Sequence, residues 1–470
     1  MRRKLFIVSD LHLGGEPGPE GSPGFQMCPG RNQKRLASLV ASLPRPTSVE
    51  RVHLVLAGDI VDFLAEKDFR PFTSAEAEAC EKLRKIIGRT PLFWDALRAF
   101  VSSGGSLTLM LGNHDIEMSL PAARRTVYDA LGEGRIGFVY DNEAFTVGPV
   151  LVEHGNRYDG WNAVPYGALR RVRSRLSRRM PAQRFPAMPG SRLVVEVMNG
   201  LKNDYSWVDL LKPETAAVLP ILAALGAGGL TDIWKAYRQY RQSAEVEYDN
   251  EREPEDETYI AAATGETPAE ASDQEMYNLA QDILAGGDAT AIGAAEFIGG
   301  ARNAVNDAVR AARREALFRA LRAFARYQRR TFDMSTESEM YLTPARLAAK
   351  RGFEVVVYGH THLAKRVELD SPSGKAVYLN SGTWADLMRM PDAVFGDDSA
   401  AAKSKLKEFV AGLEKDDVSR WRRMAPTFVR VDLDDDQVES SNVYFSDEES
   451  PELATTEGLL KRLDPEETDV

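Results

Sequence analysis

Short apolar runs rich in β-branched residues open the chain at Leu5–Val8, His53–Ala57 and Leu107–Leu111, and stretches of helical periodicity separate them at Gln33–Leu43 and Ser74–Ser103. This βαβ rhythm predicts strands buried on at least one face by helices. Gly137–Tyr140 and Ala144–Val152 read as two further strands joined by a turn at Asp141-Asn142-Glu143. The pattern then changes. Val194–Leu211 and Lys212–Gln242 are helix-like, and Ala301–Arg330 is an Ala/Arg helix with Leu317, Leu321 and Phe324 along one side. Strands return after a short helix that Thr343 caps, Pro344 opens and Gly352 closes. They are Phe353–Tyr358, Lys365–Leu369 and Ala376–Leu379, followed by a hairpin of Thr427–Leu433 and Val438–Phe445 around Asp434-Asp435-Asp436. The last 25 residues are acidic and are expected to fray.

Composition narrows this picture in three places. A net charge of −11 argues against a general nucleic-acid coat. Two cysteines, Cys28 and Cys80, give no disulfide framework and fit a reducing compartment, most simply the cytoplasm. The longest uncharged stretch, Thr215 to Thr231, carries Pro220 and three glycines and falls short of the roughly 20 apolar residues of a membrane span. The basic start, Met1-Arg2-Arg3-Lys4, precedes too short an apolar run for a signal peptide and reads as a capped first strand.

Metal-type ligands cluster where strands end: Asp10-Leu11-His12, Gly58-Asp59-Ile60-Val61-Asp62, Gly112-Asn113-His114-Asp115, His154-Gly155 and Gly359-His360-Thr361-His362. Ligands of open α/β sheets gather outside the carboxyl ends of the strands. Imidazole with carboxylate suits zinc, manganese or iron, and no thiolate is near enough in sequence for a structural zinc site. The sixth histidine, His53, begins a strand, matches no motif and is read as structural. Asp62 is left open between a partner of a ligand and a helix cap, and Asn156, Arg157 and Asp159 between pocket lining and packing.

In that order, D-x-H, G-D-x-x-D, G-N-H-D, H-G and G-H-x-H resemble the calcineurin-like metallophosphoesterase superfamily. The resemblance implies an α/β fold, the four-layer α-β-β-α sandwich, with residues 1–160 and 343–445 as catalytic domain. Residues 161–342 would be a large, mainly helical insertion capping the site, with a disordered acidic loop near 245–275, and 446–470 an acidic tail. It further implies that Asp10, His12, Asp59 and His362 hold one divalent metal. Asp59 as bridge, with Asn113, His154 and His360, would hold a second. Manganese is expected, with iron or zinc as alternatives, and a hydroxide bridging the pair as nucleophile. His114, held by Asp115, would serve the leaving group. The Asn380–Trp384 segment is expected to bring backbone amides or Trp384 near the site, or else to pack.

The implied activity is hydrolysis of phosphomonoesters, phosphodiesters or pyrophosphates on a small-molecule, nucleotide or lipid substrate. A DNA-processing nuclease of the same superfamily is the alternative, and a metal-free scaffold a further one. Seven arginines and no acid lie between Arg170 and Arg184. They stand open to three readings: an anion-binding wall, a peripheral membrane contact with Val218–Leu225 dipping into lipid, or a solvated face paired with the acids of Glu245–Glu257.

Overall fold

A computed structural model describes residues 1–18, 24–212, 214–225, 311–318, 330–371, 374–395, 399–447 and 450–464. The acidic segment 245–275, the far end of the Lys212–Gln242 helix, and Leu321 and Phe324 lie outside the described residues.

Four parallel strands, β1 (Arg2–Val8), β2 (Glu50–Ala57), β3 (Ser106–Met110) and β4 (Arg135–Val139), alternate with α1 (Gly30–Ser42), α2 (Glu76–Arg89), α3 (Pro91–Ser102) and α4 (Pro121–Leu131). The single helix expected over Ser74–Ser103 is two. Pro91 has no N–H to give, so the chain breaks at Thr90 and restarts with Pro91 in the first turn. The strand expected over Ala144–Val152 is a hairpin, β5 (Phe145–Val147) and β6 (Val150–Val152), turned at Gly148 with φ of 54°. Helix α5 (Tyr166–Ser177) carries the start of the arginine run, and α6 (Glu214–Leu225) follows it.

The chain returns through α7 (Glu339–Lys350), β7 (Val355–Tyr358), β8 (Ala364–Glu368) and β9 (Val377–Ser381). Helix α7 starts earlier than Thr343, because Ser338 caps it by accepting a hydrogen bond from Met340 N, and Pro344 sits inside it. A helix that sequence patterning missed, α8 (Ser399–Glu414), precedes the hairpin of β10 (Thr427–Asp434) and β11 (Gln437–Phe445). The tail does not fray at once. Residues Glu452–Leu453 form β12 against β11, and Thr455 caps α9 (Thr456–Arg462), whose Leu459 is buried along with Leu463 just past its end.

Two mixed sheets result, ordered β12-β11-β10-β1-β2-β3-β4 and β5-β6-β7-β9-β8. Along β1 the side chains alternate between two cores. Phe6 and Val8 pack with helices α1 to α5, whereas Leu5 and Ile7 meet Val152, Val355 and Leu379 of the second sheet. Burial on both faces is why β1 reads as an unbroken apolar run. Across the second sheet, Val356 and Tyr378 face Tyr341, Ala345 and Ala348 of α7. The order is therefore helices, sheet, sheet, helix.

A fourth core joins the inserted residues to the returning chain, with Trp207, Ile221, Leu222 and Leu317 against Met388, Phe409, Val410 and Trp421. Val218, Ile221 and Leu222 are at most 4% exposed, so the apolar stretch that one of the three readings dips into lipid is core instead. The expected boundary at 343 also shifts: Phe332 and Met334 already belong to the core between the sheets, and Lys365 Nζ donates to the carbonyls of Thr331 and Asp333. Among the described residues no helix is long and apolar enough to cross a membrane.

His53 lies on β2 away from the strand ends. Its Nε2 is 2.9 Å from Thr108 Oγ1, and its ring meets Phe145 edge-on. Burial, with help from Arg3, pushes its pKa down to about 4. The unfolded chain binds a proton near pH 6.5 that the folded chain refuses until about pH 4, so stability falls as pH drops through that window. His53→Gln is expected to lose about 1–2 kcal/mol less than the parent between pH 7 and pH 5, as read by urea unfolding at both.

Candidate metal centre

The loops after β1, β2, β3, β6 and β7 all leave the same edge of their sheets and bring the motif residues together. Their backbone is unusual. Asp10, His12, Asp59, His360 and His362 have φ between 42° and 68°, the left-handed region that side chains other than glycine rarely adopt. Such strain costs on the order of 1–3 kcal/mol per residue and persists only where surroundings over-determine it. They do so here. The first two loops zip together through Asp10 N to Gly58 O (3.1 Å), Leu11 N to Asp59 O (2.9 Å) and Leu13 N to Ile60 O (3.1 Å). The carbonyl of Asp10 also accepts Trp384 N and Thr383 Oγ1 at 3.0 and 2.8 Å. The Asn380–Trp384 segment thus braces the first loop by its backbone and a hydroxyl, with the Trp384 ring in the core. Close approach fixes the glycines: a Cβ on Gly359 would sit 2.2 Å from Ser9 Oγ, and one on Gly112 2.0 Å from Asp59 Oδ1.

Side-chain donors converge in three groups, Asp10-His12-His362, Asp59-His154-His360 and His12-Asp62-His114, with the donor atoms of each group within 4.8 Å of one another. His12 Nε2 and His362 Nε2 are 2.9 Å apart, and Asp10 Oδ1 is 3.4 Å from the latter. Asp59 Oδ2 lies 3.3 Å from His154 Nε2 and 3.8 Å from His12 Nε2, between the first two groups. His154 Nδ1 donates to Ala57 O at 2.8 Å, which orients the ring and turns Nε2 inward towards Asp59 Oδ2. Asn113 Nδ2 donates to Asn162 Oδ1 at 3.3 Å, leaving its amide oxygen inward.

Asp10 Oδ1, Asn113 Oδ1 and His154 Nε2 are buried without any hydrogen-bond partner. Buried polar atoms are seldom left so, because each costs about 1–3 kcal/mol. Two orphaned oxygens and three imidazole nitrogens, which a bound ion would hold deprotonated, are a donor set that divalent cations satisfy. These buried His and Asp groups can hold metal ions.

His114 sits beside this cluster, its ring 4.8 Å from that of His12. Asp115 does not hold it. That carboxylate turns beneath the strand ends and accepts Gly112 N and Ile60 N, both at 2.7 Å. The ring rests instead on Asp62, whose Oδ1 is 3.2 Å from His114 Nδ1 and whose Oδ2 is 3.4 Å from His12 Nδ1. Asp62 also accepts Leu64 N and Ala65 N at 3.0 and 3.1 Å, so it is both a partner and a cap, though of a turn rather than a helix. Asp159 Oδ2 meets His360 Nε2 at 3.0 Å, while Asn156 donates to Asn162 O and Arg157 to Glu153.

Charge in the cluster is tightly balanced. Burial opposes charge on His114, but Asp62 and Asp59 outweigh it and push the pKa up to about 10. Burial likewise opposes and Asp59 raises His154, to about 9. His362 is held well below its ordinary value by burial and then by the charge of Lys212. Burial, then the neighbouring Asp59, pushes Asp115 up to about 7. The inserted residues reach this neighbourhood through Asn162, through Asn199 Nδ2 donating to Leu64 O at 2.9 Å, and through the buried Lys202 and Lys212.

Sequence reasoning missed Asn162, Lys202 and Lys212, none of which stands in a motif. Comparison of the chain with protein-family models, curated proteins and solved structures returns no match.

Proposed function

We propose that the chain is a metal-dependent phosphoesterase of the calcineurin-like type, hydrolysing phosphate esters at a pair of divalent ions. The inward convergence of orphaned polar atoms on Asp10, Asn113 and His154, beside the paired nitrogens of His12 and His362, carries this reading. Asp10, His12, Asp59 and His362 hold one ion, and Asp59, Asn113, His154 and His360 hold the other, manganese before iron or zinc. Layering of helices, sheet, sheet and helix, with every ligand loop at the carboxyl ends of parallel strands, supports assignment to the four-layer sandwich of that superfamily.

When bound, the ions supply Lewis acidity that activates water and neutralises phosphoryl charge. The chain's own groups orient and move the proton. Asp62 fixes the His114 ring through Nδ1 and leaves Nε2 to hand a proton to the departing oxygen. Asp59 Oδ1 accepts His114 N at 2.8 Å and so ties the position of the acid to that of the bridging ligand. From the inserted segment, Lys212 places its charge near His362, which favours an anionic substrate, whereas Lys202 is paired with Asp209.

The test is direct. With bis(p-nitrophenyl) phosphate and p-nitrophenyl phosphate, manganese-loaded protein is expected to turn over at least ~100-fold faster than protein in excess chelator. Equal rates with both substrates would sink the proposal.

A further inference from the structure

We propose that a cavity between α5 and the segment that follows it is a second ligand site, taking a planar-bodied organic phosphate of the nucleotide class. The cavity measures about 630 Å³, inside the roughly 300–1,000 Å³ of small-molecule sites. It uses none of the residues assigned to the metal centre and goes beyond the phosphoesterase reading.

The arginine run explains why an anion belongs there. Arg170 and Arg173 pair with Asp141 beyond the end of β4. Arg175 donates to Pro181 O and Arg178 to Ser174 O, so both are spent within their own segment. Arg171 and Arg184 are the two that line the cavity, and among the described residues neither bonds to a carboxylate, carbonyl or hydroxyl. Arg192 and Glu196 line it as well. Arg171 and Arg184 present exposed guanidinium groups at this concavity, and the planar fork of arginine matches a phosphate's oxygens in pairs.

The rest of the lining selects the body of the ligand. Phe72 and Phe185 form one wall, their ring centroids 4.3 Å apart and their planes tilted by 41°. Phe185 is almost fully buried beneath Phe72, which remains partly exposed. A bare phosphate would leave this wall in water. A flat heterocycle joined to the phosphate covers it and stacks on the aromatic face.

Calorimetric titration of the full chain with ADP, in excess chelator so that the metal centre takes no part, tests the proposal. ADP is expected to bind saturably, with inorganic phosphate and adenosine each at least ~10-fold weaker, because each supplies half of the recognition. The double substitution Arg171→Ala with Arg184→Ala should weaken ADP ~10-fold or more at an unchanged melting temperature, since neither side chain bonds within the described fold. Phe72→Leu should weaken ADP and leave phosphate as it was. Absence of saturable ADP binding, or binding undiminished in the double variant, overturns the site. Phosphate binding as tightly as ADP overturns the planar body. Because the readout excludes metal, failure here leaves the phosphoesterase assay untouched, and failure there leaves this site untouched.

Discussion

Replacing Asp59 with alanine is expected to abolish metal binding and hydrolysis together, with kcat/KM falling by on the order of 10³-fold or more. Asp59 lies within 4 Å of both His12 Nε2 and His154 Nε2, so its loss opens both halves of the donor set at once. Alanine does further damage. It removes the acceptor of His114 N and leaves that buried donor unpaired, at a cost of about 1–3 kcal/mol of stability. Asp59→Asn keeps an oxygen for His114 N and removes mainly the charge, so it separates the two effects. Asparagine should restore most of the melting temperature while leaving metal content and rate low. Metal analysis after gel filtration and hydrolysis of bis(p-nitrophenyl) phosphate check this. A variant with full metal content and the parental rate would remove Asp59 from the centre.

His114→Ala should do the reverse, retaining metal while kcat falls by roughly 10²–10⁴-fold, the usual worth of a positioned acid. His114 makes its side-chain contact with Asp62 and stands outside the orphaned donors, so the metal set survives its removal. The loss should depend on the leaving group. A p-nitrophenolate departs without a proton, so the deficit should be small for that ester and large for an alkyl ester. Equal deficits for both esters would mean that His114 binds phosphate rather than protonating the leaving oxygen. Asp62→Asn should give an intermediate loss, since an amide still orients the ring while withdrawing the negative charge beside it.

The residues that converge in the candidate centre were legible because each lies within a few residues of a strand end, and strand ends are written in local hydrophobic patterning. Asp10, Asp59, Asn113, His154 and the two histidines after β7 needed only that pattern and the motif order. What supports them was not legible. The bond from Asp62 to His114 spans 52 residues, and that from Asp159 to His360 spans 201. No periodicity records contacts of that length. Asp115 misled because adjacency in sequence suggested contact, whereas the turn sends its side chain back under the strands. Helix α8 was missed and the apolar stretch in α6 was left open to a lipid contact for a shared reason. Each buries its face against the other's neighbourhood, in a core assembled from residues nearly 200 positions apart. Taken alone, α6 is as apolar as a lipid-facing segment.

The position of β10 bears on how this protein is made. β1 has β2 on one side and β10 on the other, in register from Arg2 against Asp434 to Ile7 against Val429. One edge of β1 thus stays bare until β10, more than four hundred residues further along the chain, has been synthesised. At about 5–20 residues per second, that interval lasts on the order of 20–80 s. Throughout it, an apolar edge strand is a template for pairing with other chains. Yield from a cell should therefore depend on chaperone supply and on translation speed between the codons of β1 and those of β10, even in variants whose finished fold is as stable as the parent's.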